Sequence, residues 1–114
     1  MKKIIIDFVN LPRKLNKEKI KKAIAKKIIS KEKTIIEIIF VSPKKIHQLN
    51  KKYRKVDKPT TVLAFPQIKS PNLNFNPLGT VVLCLPEIKK EIKTGENLEI
   101  KVTELIKHGF SNIL

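Results

Sequence analysis

The sequence predicts a single α+β domain, a small and mostly mixed sheet packed against helices, and three observations point to it. Its 114 residues are the usual size for one hydrophobic core. About 41% of them are hydrophobic, enough to cover the roughly 65% of surface that a chain of this size buries. Short β-branched runs are interspersed with stretches of helical period, and some of the strands lie close together in sequence. One domain over residues 1–114 follows, with no internal repeat and no low-complexity tract.

Residues 2–9 (KKIIIDFV) are short, apolar and β-branched, which predicts a strand that Leu11 and Pro12 end. Asn16 is placed to cap the next segment, with Glu18 at the positive end of a helix. Ile20, Ala23, Ile24, Lys27 and Ile28 then trace one helical face that ends near Ser30. The opposite face is lysine: Lys19, Lys21, Lys22 and Lys26. Thr34 to Val41 alternates poorly and reads as a buried strand. Ser42 and Pro43 open a helix as cap and first residue, and it carries Ile46, Leu49, Asn50 and Tyr53.

The middle of the chain changes texture. Val62 to Phe65 predicts a brief strand between Pro59 and Pro66, and residues 67–78 (QIKSPNLNFNPL) read as a loop. Gly79 to Leu85 predicts a strand, and Pro86 starts a helix that runs to about Lys93 before Thr94 and Gly95 break it. Asn97 caps a last helix into His108, with Ile100, Leu105 and Ile106 among its apolar positions.

Composition excludes several classes. No apolar run approaches the roughly 18–20 residues of a membrane span. Only three consecutive isoleucines precede Asp7, too few for the core of a secretory signal, and the one cysteine, Cys84, makes a disulfide framework impossible. A cytoplasmic protein is therefore expected. Three glycines leave no room for a nucleotide-binding fingerprint. Cys84 sits in an apolar run as a small core residue, and His47 reads as a surface histidine.

Charge is the positive clue. Lys and Arg total 25 against ten Asp and Glu, a net +15. A polyanion partner, nucleic acid above all, accounts for such an excess, and a lysine-rich composition with no partner is the bland alternative. Only two of the 25 are arginines, Arg13 and Arg54. Arginine offers a planar fork for phosphate where lysine is a point charge, so an arginine kept in so lysine-biased a chain is informative.

Two segments could carry chemistry. In residues 49–66, Lys51, Lys52, Arg54, Lys55 and Lys58 crowd a helix end and the loop after it, beside an aromatic ring. Such a loop presents phosphate ligands, and a solvated helix end that favours cations would look the same. At the other end, His108 and Asn112 stand four apart on one helical face, the spacing used by metal-binding helices. One histidine is weak evidence for a metal, and asparagine offers only a neutral carbonyl.

Taken jointly, LNKKYRKVDKPTTVLAFP, then LGTVVLCLPEI, then ELIKHGF resemble the YbeY family of rRNA maturation endoribonucleases. The first stretch is similar to the family signature LNxxYRxxDxPTDVLSFP. Leu78 to Val82 resembles its LGDIVI, and His108-Gly109 the start of its HGxLHLLGYDH zinc motif. The resemblance implies a sheet-and-helix fold arranged like a zinc metalloprotease, with the metal site on the last helix beside a positively charged groove. It implies a zinc-dependent endoribonuclease for single-stranded RNA, acting in 16S rRNA 3′-end processing and ribosome quality control, with rRNA and the small ribosomal subunit as partners. By the same resemblance His108 is a zinc ligand and Arg54 holds a substrate phosphate as the catalytic arginine. Lys51, Lys52, Lys55 and Lys58 extend the nucleic-acid-binding track.

The chain departs from that pattern at defined positions. Asn112 stands where the second zinc histidine is expected, and the third would fall beyond Leu114, so the motif reads as cut short. Thr61 and Thr80 replace aspartates of the two other motifs. A catalytically impaired rRNA- or ribosome-binding remnant is therefore the alternative to an active nuclease.

Overall fold

The computed structural model describes residues 4–26, 34–66 and 76–113, apart from the side chains at 76, 77, 112 and 113. Its elements run β1 (Ile4–Val9), α1 (Lys17–Ala25), β2 (Thr34–Phe40), α2 (Pro43–Arg54), β3 (Val62–Pro66), β4 (Asn76–Leu83), α3 (Leu85–Glu91) and α4 (Leu98–Ile113). The fold is α+β, with a four-stranded mixed sheet in the order β1-β2-β4-β3. β1, β2 and β4 are parallel; β3 lies antiparallel to β4 at one edge.

The β-branched runs fill the sheet because their alternating side chains serve two faces. On one face Ile6, Ile36, Ile38, Phe40, Val81 and Leu83 meet Ile20 and Ile24 of α1, Ile88 of α3, and Val102, Ile106 and Phe110 of α4. On the other, α2 covers the β3–β4 end alone, where Ile46 packs with Leu63, Val82 and Cys84, backed by Leu49 and Phe65. Among the described residues no helix covers the β1–β2 end of that second face, with Ile35, Glu37 and Ile39 half-buried and Asp7 exposed. Among the described residues no helix is long and apolar enough to cross a membrane.

The caps read from the sequence form as expected. Asn16 accepts from the Lys19 N–H at 3.1 Å, Ser42 from Lys45 at 3.1 Å and Asn97 from Ile100 at 3.1 Å. Lys27, Ile28 and Ser30, expected to finish the first helix, lie outside the described residues, as does most of the expected loop, 67–75.

Three expectations are corrected. β4 begins at Asn76, inside the expected loop, because Ile35 pairs with Pro77 and Ile36 with Gly79, so Leu78 is an extra residue in a bulge that accommodates the proline. Leu85 opens α3 rather than closing β4. Ile100 is 58% exposed. The inward stripe of α4 runs through Val102, Ile106 and Phe110, and Ile100 stands two residues off it, on the far side of the helix.

The last helix also continues past His108 to Ile113, through a glycine that costs about 1 kcal/mol of helix propensity. Packing explains Gly109. A Cβ there would stand 3.2 Å from both Val81 methyl groups and 3.6 Å from the Ala64 Cβ. Glycine lets α4 lie close on the sheet and so brings His108 down beside β3.

Candidate nucleic-acid interface

β3 is the edge on which the site is built. The Cys84 N–H donates to the Thr61 carbonyl at 3.0 Å, which makes Thr61 and Cys84 a hydrogen-bonded pair in the antiparallel ladder. The alternation then turns the peptide groups of Leu63 and Phe65 toward β4 and those of Val62 and Ala64 away from it, toward an edge with no further strand among the described residues. α4 packs on the Val62 and Ala64 side of the strand, and α2 on the Leu63 and Phe65 side. Between the end of α2 and α4 a cleft of about 500 Å³ opens, lined by Tyr53, Arg54, residues 62–65 of β3, His108 and Gly109.

Arg54 and His108, singled out from opposite halves of the sequence, thus line one cleft, and both are exposed. Asn112 follows one turn further along α4. Among the described residues no group of three His, Cys, Asp or Glu side chains is placed to hold a metal ion.

The four lysines are exposed but do not line the cleft. Lys51 reaches toward the Asp57 carboxylate at 3.9 Å, and Lys55 donates to the Lys52 carbonyl at 3.3 Å. The Lys52 ammonium stands 5.2 Å from the centre of the Tyr53 ring, a cation–π contact. Lys58 enters the architecture through its backbone carbonyl.

The turn that presents Arg54 is held by contacts that sequence reasoning missed. α2 ends at Lys55 in the left-handed conformation (φ 61°, ψ 29°), a place usually taken by glycine or asparagine. Its N–H and that of Val56 both point to the Asn50 carbonyl. Asn50 itself is buried, and its Nδ2 donates to the Lys58 carbonyl at 2.8 Å, pinning the loop back on the helix. Its Oδ1 has no partner among the described residues. A buried asparagine near a helix end is the one signal that could have revealed this pin.

His47, expected as a plain surface histidine, is half exposed but bonded: its Nε2 lies 2.7 Å from the Asp57 Oδ1. That hydrogen bond, and then the charge of Lys51, hold the Asp57 carboxyl below the ordinary carboxylate range. Cys84 is buried as expected, and burial pushes its thiol up.

With this geometry in view, comparison with known proteins is decisive. The family model described as "Endoribonuclease YbeY" matches residues 7–114. The chain belongs to the YbeY endoribonuclease family. Among its YbeY relatives, one from Buchnera aphidicola is 38% identical, over all of this chain and 77% of its own length. Another, from a Sulfurihydrogenibium species, is 33% identical over 88% of this chain and 74% of its own, and one from Acinetobacter baumannii is 37% identical over 83% and 68%. All three are named Endoribonuclease YbeY. The solution structure of TM1509 from Thermotoga maritima shares the fold, with a TM-score of 0.59 over 96% of this chain and 71% of that one at 20% identity. Within the YbeY frame, the cleft at the β3 edge brings Arg54 and His108 together, and the lysines form its outer surroundings.

Proposed function

We propose that this chain is a single-strand-specific endoribonuclease of rRNA maturation, acting in the cytoplasm on the 3′ end of the small-subunit rRNA and in ribosome quality control. The observation that carries the reading is the cleft in which a YbeY chain brings Arg54 and His108 together beside the edge of β3. Arg54 is the group for a phosphate of the RNA, bidentate and permanently charged. The outward peptide groups of Val62 and Ala64 offer donors and acceptors along the same floor.

Zinc belongs to this reading at His108. A catalytic zinc takes three protein ligands and keeps an open position, where it lowers the pKa of a bound water. The described residues do not fit such an ion by themselves: His108 is one imidazole, and two more ligands would have to come from outside them. That same observation favours a second reading, an rRNA- or ribosome-binding protein that holds RNA without cutting it.

Zinc content and cleavage of a single-stranded RNA separate the two. Near one zinc per chain, lost in His108→Ala, together with cleavage abolished by chelator, is the outcome expected of the nuclease. Binding that weakens with salt, ignores chelator and is accompanied by no cleavage refutes it in favour of the second reading. Arg54→Ala is expected to weaken RNA binding in both.

A further inference from the structure

Tyr53 is the largest exposed aromatic of the described residues, 55% accessible, and it stands between two hollows. On one side is the cleft with Arg54 and His108. On the other is a hollow of about 390 Å³ beside α2, on the sheet face this helix covers in part, lined by Ile39, Leu49, Phe65, Thr80 and Val82. Phe65 supports the Tyr53 ring in an edge-to-face contact, with centroids 5.2 Å apart and planes at 70°. The Lys52 ammonium lies over the ring, Arg54 is adjacent in the chain, and the ring borders an apolar hollow. Single-stranded RNA needs both parts at once, a charge for its phosphate and a ring face for an unpaired base.

We infer that Tyr53 is a base-stacking residue, receiving the nucleobase next to the phosphate held by Arg54, with the hollow behind it as the seat of that base. The inference rests on the RNA-binding reading above and adds a subsite to it. Charge complementarity selects the occupant. A peptide or a second copy of this +15 chain would bring no phosphate to Arg54, whereas a nucleotide brings phosphate and ring together. Thr80, whose hydroxyl donates to Glu37 at 3.3 Å, sets a polar patch on the wall that the base would face. A paired base is already stacked and cannot enter, so the subsite selects single strands.

The sequence supplies a direct probe, because Tyr53 is the one tyrosine and there is no tryptophan. Its emission is followed while a single-stranded oligoadenylate is added to the full chain, with an abasic strand of equal length and charge as control. Binding is read in parallel from the anisotropy of a labelled strand. Quenching by oligoadenylate and none by the abasic strand is expected. Tyr53→Ala is expected to lose about 5- to 150-fold in oligoadenylate affinity and little for the abasic strand, while Tyr53→Phe stays within about threefold of the native chain. Oligoadenylate that binds without changing the emission, or an alanine variant that keeps the native preference for bases over the abasic strand, overturns the subsite alone. Failure of both strands to bind overturns the RNA-binding reading and the subsite with it.

Discussion

Replacing Asn50 by aspartate changes one NH2 for an oxygen at constant shape, and the structure fixes what that costs. The native Nδ2 donates to the Lys58 carbonyl at 2.8 Å from a residue 3% exposed. A carboxylate there would face a carbonyl oxygen across the same distance, with no donor in return and little water. The protonated acid can still donate its O–H to Lys58, so the folded chain favours that form and raises the pKa above the unfolded value near 3.9. A rise of about two units corresponds to roughly 3 kcal/mol, at about 1.4 kcal/mol per unit. The sign follows from linkage. A group whose folded pKa is raised leaves stability intact below the unfolded pKa and removes it as pH rises through the folded one. Asn50→Asp is therefore expected to match the native chain near pH 4 and to lose about 3 kcal/mol above about pH 6. With a urea slope of about 1.5 kcal/mol per molar, that is a midpoint lower by about 2 M at pH 7. Urea denaturation of both chains from pH 4 to 8, followed by circular dichroism, measures the gap. A gap that is absent at pH 7, or one that does not change with pH, would refute the pin from Asn50 to Lys58. Asn50→Ala, which removes the donor without adding a charge, is expected to cost about 1–2 kcal/mol at every pH.

Three further outcomes are expected. Lys55→Gly relieves a left-handed backbone at the end of α2 and should raise the stability by about 1 kcal/mol, seen as a rise in Tm, despite removing a charge from the basic turn. The gap in Tm between the native chain and Asp57→Asn, present at pH 5, should close as pH falls below about 4, since the contribution of a carboxyl with lowered pKa is lost when it protonates. Cys84, buried and with its thiol pushed up, should resist alkylation in the folded chain and react promptly once urea unfolds it; rapid labelling without denaturant would contradict its place in the core.

What was legible in the sequence is what rests on local rules. Asn16, Ser42 and Asn97 cap helices because their side chains reach an N–H three residues on, a relation internal to the segment. The strand character of Thr34 to Phe40 lies in its own β-branched residues. Contacts made across the fold were hidden. Nothing around Asn76 and Pro77 says strand, since a proline becomes acceptable there only through a bulge opposite Ile35 and Ile36. Gly109 reads as a helix breaker until Val81 is placed 3.2 Å below it. In the site, the motif order pointed to Arg54 and His108 before any geometry was known. It did not show that the lysines stand outside the cleft, because which way a lysine turns depends on partners such as Asp57 and the Lys52 carbonyl.

The chemistry of the cleft divides along the same line. Arg54 cannot give up a proton, so it can hold a phosphate and stabilise charge that grows on it, and it cannot serve as the base that prepares an attacking water. His108 can do either of two things, ligate a metal or move a proton, and one imidazole cannot do both at once. On the proposed reading, binding would draw on groups that the cleft brings together by folding, whereas cutting would draw on His108 together with whatever completes its surroundings. The two activities should respond to different substitutions. Arg54→Lys keeps the charge and loses the fork, which should weaken RNA binding and cleavage together. His108→Ala should leave RNA affinity within about twofold, since the reading gives the phosphate contact to Arg54 and the chemistry to His108, while removing any cleavage. If His108→Ala weakened binding as much as Arg54→Ala, the imidazole would be a contact for RNA and its assignment to chemistry would fail.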